Sequence, residues 1–273
     1  MRGVGVGGPG GFNFSQFLSR CDEIAAKRHM RVPSGAALPK LSTAGFSIIS
    51  FNVLLPNSSD GWWLYKYYDG DTPSVTTEWP SRSKLLADSL LGADADVVLL
   101  QECSADSFET DWSFLLDAGY DSACYSKGRM RPATFWKRDR MALCDAAGEP
   151  VDEPSGGLLQ GDRTFTTMLR LRDEAGAAFV RPTIHIVNCH LSAGPEARRR
   201  LRQTHEALDG IKKARNKLKV AADGPPPCVV VAGDFNSQGQ SGVRQILEHT
   251  EVYAIAIRTG SFARAPLHGA LTH

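Results

Sequence analysis

No stretch of this 273-residue chain is long and apolar enough to span a bilayer. The glycine-rich start, MRGVGVGGPGG, has no apolar core of signal-peptide length. A soluble chain with an unstructured first segment is the expectation. A dominant charge is missing too: 31 Lys and Arg face 30 Asp and Glu, leaving a formal +1. The whole molecule therefore has no field that seeks polyanions, and any nucleic-acid affinity must come from a local patch. None of the six cysteines stands in a C-x-x-C pair. Cys21, Cys103, Cys124, Cys144, Cys189 and Cys228 are scattered, several in or beside apolar runs, which argues against a zinc site or a disulfide frame. They read as reduced thiols of an intracellular, cytoplasmic protein. There is no internal repeat, and no low-complexity tract beyond the tail.

What is present reads as an ordinary globular composition, 42% hydrophobic and 22% charged, long enough to bury a sizeable core. Residues 1–11 form the tail. Residues 12–45 carry one amphipathic helix, with Phe14, Phe17, Leu18, Cys21, Ile24 and Ala25 at helical spacing, and then a Pro-, Gly- and Ser-rich linker. From residue 46 to the end, strand and helix patterns mix. FSIISFNVLL, ADVVLLQEC, RPTIHIVNCHL and CVVVAGDFN are apolar enough to be strands buried on both faces. PATFWKRDRMAL and RTFTTMLRLRD alternate as half-buried strands do. SRSKLLADSLLG is a helix with Leu85, Leu86, Ser89 and Leu90 on one side and Gly92 as its stop. Pro195 opens a third helix that runs to about Lys219, and GVRQILEH is a short fourth one. Such a mixture implies α/β layers with helices covering sheets.

Four apolar strands finish in polar side chains. The first ends at Asn52 and the second at Glu102; the third ends at Asn188 and His190, the fourth at Asp234 and Asn236. A buried strand does not end in carboxylates and amides without cause, since each such group needs a partner. Asp234 and Asn236 are two apart and share a side of the strand, as do Asn188 and His190. If the four ends converge, they make a cluster of hard oxygen ligands and one imidazole, suited to Mg²⁺ or Mn²⁺ rather than zinc. Singly, each has a plainer reading: a solvated Glu, a turn at Asp-x-Asn, a hydrogen-bonded core His.

The motifs ISFNVL, VVLLQE, ATFWKRDRM, VNCHL and VVVAGDFNS, in this order, resemble those of the endonuclease/exonuclease/phosphatase superfamily. Within it the chain is most similar to the CCR4-type branch of deadenylases and phosphodiesterases. His190 is followed five residues later by Pro195 as in that branch, although the aromatic residue often found between them is missing. The resemblance implies a four-layered α/β sandwich, two packed β-sheets with helices outside. It also implies Mg²⁺-dependent hydrolysis of a phosphodiester, with Mn²⁺ as the other candidate. Carried over, Glu102 is the principal metal ligand, and Asn52 supports the metal or a phosphate oxygen. Asp234 deprotonates the attacking water or holds a second metal. Asn236 orients the phosphate, and His190 donates to a phosphoryl oxygen. Asn188, Pro195 and Arg198 are the expected substrate contacts. The substrate implied is RNA, with DNA, a lipid headgroup or a dinucleotide as alternatives. Protein partners are not specified.

One departure stands out. The superfamily pattern closes with an Asp-bearing strand and a Ser-Asp-His stretch, whereas this sequence stops at APLHGALTH. The expectation is a sandwich lacking its last strands, and an inactive binding module is the reading from a different class.

Two other features stay open. Arg198, Arg199, Arg200 and Arg202 begin the long helix, either as a solvated face or as a phosphate-tracking rim beside His190. The rings of DGWWLYKYYDGD either stack bases or anchor a loop.

Overall fold

A computed structural model of the protein describes residues 45–55, 71–172, 179–218, 227–237, 241–249 and 262–266. The glycine tail, the amphipathic helix and linker of the first 44 residues, and most of the aromatic segment after the first strand lie outside the described residues.

Strand β1 (Gly45–Asn52) is apolar on both faces because both are covered. Phe46 and Ile48 point into a core shared by two sheets, while Ile49 and Phe51 point outward beneath helices. The short helix α1 (Ser74–Thr77) and helix α2 (Trp79–Ala93) follow, then β2 (Val97–Ser104). Helices α3 (Phe108–Asp111) and α4 (Ser113–Asp117) lead to β3 (Tyr120–Cys124), β4 (Met130–Lys137) and β5 (Met141–Leu143). The chain continues through β6 (Leu158–Gln160), β7 (Thr164–Arg172) and β8 (Phe179–His190) to the long helix α5 (Ala197–Lys217). Strand β9 (Cys228–Asp234), helix α6 (Gly242–His249) and β10 (Phe262–Pro266) complete it.

The first sheet has the order β10-β1-β2-β4-β3; the second runs β5-β7-β8-β9, with β6 also on β7. Both are mixed: β1 is parallel to β2 and β8 to β9, while the remaining pairs are antiparallel. The sheets share one core, in which Val97 and Leu99 of β2 meet Phe165, Ile186 and Val230 of the second sheet. Leu86 and Leu90 of α2 cover the first sheet from outside, and Ala207 and Ile211 of α5 cover the second. This is the four-layered α/β sandwich, and its inner strands are apolar throughout because no face is wet.

Several local expectations are corrected. Helix α2 runs past Gly92 and stops at Asp94, whose left-handed φ of 47° lets its N–H reach the Leu91 carbonyl. Leu85 and Ser89 are exposed, so the buried stripe is Arg82, Leu86, Leu90 and Ala93. PATFWKRDRMAL is not one strand. A turn after Lys137 hands the chain to the other sheet, so β4 belongs to the first and β5 to the second. Strand β7 is buried on both faces, because Phe165, Leu169 and Leu171 face the core between the sheets while Met168 lies under Ala214 of α5. Pro195 precedes α5 rather than opening it, for helical geometry starts at Ala197 after Glu196. Strand β9 ends at Asp234, which leaves Asn236 in the turn beyond it.

Candidate active site at the strand ends

The two parallel pairs, β1–β2 and β8–β9, end on the same side of the sandwich, and their last side chains meet there. Asn52 Nδ2 donates to Glu102 Oε1 at 2.9 Å and to Asp234 Oδ2 at 3.0 Å, which joins the first sheet to the second. His190 Nε2 lies 3.5 Å from Glu102 Oε1. Glu102 and His190 are each 6% exposed. The four strand ends therefore converge.

Each sheet reaches this arrangement differently. Along β2, Val97, Leu99 and Gln101 face the inner core while Val98 and Leu100 face the helices. Strict alternation would send Glu102 to the helices. A register shift against β4 between Leu100 and Cys103, with Glu102 at φ 64°, turns it towards His190 instead. A bulge that re-aims one side chain is a common device beside active sites. In the second sheet alternation suffices: Ile184, Ile186, Asn188 and His190 share the inner side, as do Val230, Ala232 and Asp234. Gly233 makes that pairing possible. At φ 126° it lies against Cys189, and a Cβ there would sit 2.1 Å from the Cys189 carbonyl oxygen.

Further contacts lock the cluster. Asn52 Oδ1 accepts from Leu54 N at 3.0 Å. The backbone then passes through two left-handed leucines, Leu54 at φ 53° and Leu55 at φ 33°. Arg82 of α2 reaches this turn, donating to the carbonyls of Val53 and Leu54. On the other side, Asp234 Oδ1 accepts from Asn236 N at 2.9 Å, and Asn236 Nδ2 donates to Leu191 O at 2.7 Å. Asn236 thus ties the β9 turn to the segment after His190. Arg82 and Gly233 belong to the cluster's support without carrying a motif of their own. Pro and Gly punctuation could have drawn attention to Gly233, but nothing local marks Arg82.

The expected substrate contacts divide. Asn188 is fully buried between the sheets, where its Oδ1 accepts from Gln101 Nε2 at 2.8 Å and its Nδ2 donates to the carbonyls of Leu100 and Ala133. It bridges the sheets and is not brought to the cleft. Pro195 is exposed in the loop after His190, and Arg198 is exposed in the first turn of α5. Of the other arginines there, Arg200 is buried and donates to the carbonyls of Ser192 and Gly194. Arg199 and Arg202 pair with Asp162. Arg200 braces the loop that follows His190, and only Arg198 of this run is an unbonded cation among the described residues.

Burial lowers the pKa of the His190 imidazole; Glu102 and Asp234 work against that, and Arg163 adds to it. The ring is thus held towards its neutral form, as a donor and acceptor rather than a fixed cation.

The donor set fits a hard cation at one point. Glu102 Oε2 is buried and has no hydrogen-bond partner, an orphan that a divalent cation would satisfy. Asn52, by contrast, turns its N–H groups towards the carboxylates and its oxygen towards Leu54. Among the described residues no three His, Cys, Asp or Glu side chains form a ready metal cage. Were a cation held here, Glu102 would be its anchor and Asp234 the second acid. An open hollow of about 570 Å³ beside α2, lined by Trp79, Lys84, Ser107, Asp111 and Phe114, shares no residue with this cluster.

Two mixed sheets packed face to face, with an acid, amide and imidazole cluster at the carboxyl ends of β1, β2, β8 and β9, define an α/β sandwich with a polar cluster at one end. Residues 49–264 match the Endonuclease/Exonuclease/phosphatase family, and the chain belongs to it. Its curated relatives are CCR4-type. It is 26% identical over 230 residues to the CCR4-Not complex 3′-5′-exoribonuclease subunit Ccr4 of Candida albicans, covering 75% of this chain and 29% of that protein. Against the Saccharomyces cerevisiae protein of the same description it is 29% identical over 235 residues, 76% of this chain and 27% of the other. The chain thus spans about a third of the length of such relatives. Among solved structures, the human Nocturnin catalytic domain superposes with a TM-score of 0.52 at 17% identity, covering 78% of this chain and 72% of that one. ANGEL2, described as a 2′,3′-cyclic phosphatase, gives 0.51 at 20% identity, covering 71% and 53%.

Proposed function

We propose that this chain is a metal-dependent phosphodiesterase that hydrolyses RNA from its 3′ end, as the name of its CCR4 relatives describes for them. The observation that carries this reading is the meeting of Asn52, Glu102, His190 and Asp234 from four strands of two sheets, with one Glu102 oxygen left unpartnered. Mg²⁺, with Mn²⁺ as the alternative, is the cation that Glu102 would hold. Such an ion polarises a phosphoryl oxygen and makes its water more acidic.

The protein's own groups supply the rest. Asp234 is oriented through both oxygens, one by Asn52 and one by the Asn236 backbone, so it can take the proton of an attacking water without rearranging. His190, held towards neutrality, keeps a ring N–H to donate to a phosphoryl oxygen as charge builds there. Asn236 fixes the turn that carries Asp234. The five described cysteines are free, which supports a reducing, intracellular setting.

The test is cleavage of a 5′-labelled oligo(A) and a mixed RNA with Mg²⁺ and with EDTA, alongside DNA, a lipid phosphodiester and a dinucleotide. The wild type should shorten RNA from the 3′ end only with the metal. Glu102→Gln should lower turnover at least ~10³-fold with the fold intact, the scale of losing a transition-state contact. Metal-independent cleavage, or normal turnover in that variant, would sink the reading.

A further inference from the structure

The turn that joins β6 to β7 is braced from both sides of the cleft. Tyr125 Oη donates to Gly161 O at 2.7 Å, and Ser126 donates through N and Oγ to Gln160 Oε1 at 3.1 and 2.6 Å. From α5, Arg199, Arg202 and Gln203 converge on the Asp162 carboxylate. Gln203 is itself fully buried and also grips Ser192, two residues after His190. The turn and the catalytic strand end are thereby one rigid piece.

At its tip is Arg163. The His190 N–H donates to the Arg163 carbonyl at 3.0 Å, which carries the β7–β8 pairing one step beyond Thr164 and Cys189. Arg163 is thereby held with its backbone directly beside that of His190. Its charge is felt by both the His190 imidazole and the Tyr125 phenol, each of which it pulls towards lower pKa. Arg163 also holds φ 60°, a left-handed conformation that Gly or Asn adopts cheaply and a long side chain does not. It is exposed, and no carboxylate among the described residues pairs with it. Its neighbours Arg199, Arg200 and Arg202 are committed to Asp162, Ser192 and Gly194.

We propose that Arg163 is a substrate-binding residue that holds the phosphate next to the scissile one in a single-stranded nucleic acid. The fold gains nothing from an unpaired, strained cation in a braced turn. A chain of phosphodiesters lying across His190 supplies the anion it lacks, and the guanidinium can grip two phosphate oxygens at once. The inference rests on the phosphodiesterase reading, but its first test does not need catalysis.

Binding of a fluorescein-labelled oligo(A) is measured by anisotropy in EDTA, across a salt series, for the wild type, Arg163→Ala, Arg163→Lys and the distant surface control Lys217→Ala. Arg163→Ala should weaken binding about tenfold and reduce the salt slope by about 0.7, the contribution of one neutralised phosphate on a single strand. Arg163→Lys should keep the slope while losing part of the affinity. Unchanged affinity and slope in Arg163→Ala overturns the proposal. So does an equal loss in Lys217→Ala, which would make the effect one of net charge, and so does a wild type that binds no oligo(A). Cleavage with Mg²⁺ is then compared, where Arg163→Ala should raise KM more than it lowers kcat. A wild type that binds through Arg163 yet cleaves nothing would refute the phosphodiesterase reading and reduce Arg163 to a nucleic-acid contact with no scissile phosphate beside it.

Discussion

The two sheets bring their acids to the cleft by opposite means. In the first sheet, alternation points Glu102 the wrong way, and a bulge with a left-handed glutamate corrects it. In the second sheet, alternation already points His190 and Asp234 inward, and what is needed is close approach, which Gly233 provides. One end stores backbone strain and is propped from outside by Arg82; the other is a regular ladder with one Cβ missing. Strain held by neighbours yields when a neighbour is removed, whereas close approach fails outright when an atom is added.

The largest effect is therefore expected at Gly233. Gly233→Ala puts a methyl 2.1 Å from backbone that cannot move aside, at a φ that alanine resists. A loss on the order of 5 kcal/mol is expected, seen in urea unfolding, with cleavage abolished. If Gly233→Ala keeps wild-type stability, the second sheet does not depend on close approach.

Asn188 comes next. Asn188→Ala removes three interior hydrogen bonds and strands Gln101 Nε2 and the Leu100 and Ala133 carbonyls between the sheets. About 3 kcal/mol should be lost, with KM for oligo(A) unchanged in the folded fraction. A selective rise in KM at unchanged stability would restore Asn188 to the substrate contacts.

His185 gives the second sheet an acid sensitivity. It is fully buried beneath α5, and burial, with Arg215 nearby, lowers its pKa from 6.5 to about 4. The unfolded chain binds the proton first as pH falls. The stability linked to this group is full above pH 6.5 and drains between there and pH 4, by about 3 kcal/mol in all. His185→Leu should flatten the unfolding free energy across that window, and an unaltered pH profile would remove His185 from the account.

The smallest change is at the strained end. Arg82→Ala deprives the Val53 and Leu54 carbonyls of their donor and the Trp79 ring of a cation 5.6 Å from its centroid. About 2 kcal/mol and roughly tenfold in turnover should go together, since Asn52 relaxes with the turn. Arg82→Lys should recover part of both. Loss of stability with turnover untouched would uncouple the turn from Asn52.

How much of this was legible follows from what each residue answers to. The strand ends carrying Asn52, Glu102, His190 and Asp234 could be read because unbroken apolar runs signal burial, and a polar residue closing such a run is conspicuous. The motif resemblance then identified the sandwich. Asn188 obeys the same local pattern as His190, on the same face of the same strand, and yet it bridges the sheets. Only the distance to Gln101, Leu100 and Ala133 separates this bridging amide from the imidazole that meets Glu102 two residues on. The division of PATFWKRDRMAL between two sheets and the bracing of the β6–β7 turn by α5 are equally invisible in the one-dimensional pattern. Periodicity reports whether a side chain is covered, because covering is a matter of local alternation and hydrophobicity. It does not report by what, since the partner is set by packing between segments far apart in the chain. The sequence by itself determined the layers, the buried strands and the chemistry available at their ends. The tertiary structure decided which of those ends meet, through a bulge at Glu102, a missing Cβ at Gly233 and an arginine brought in from a helix.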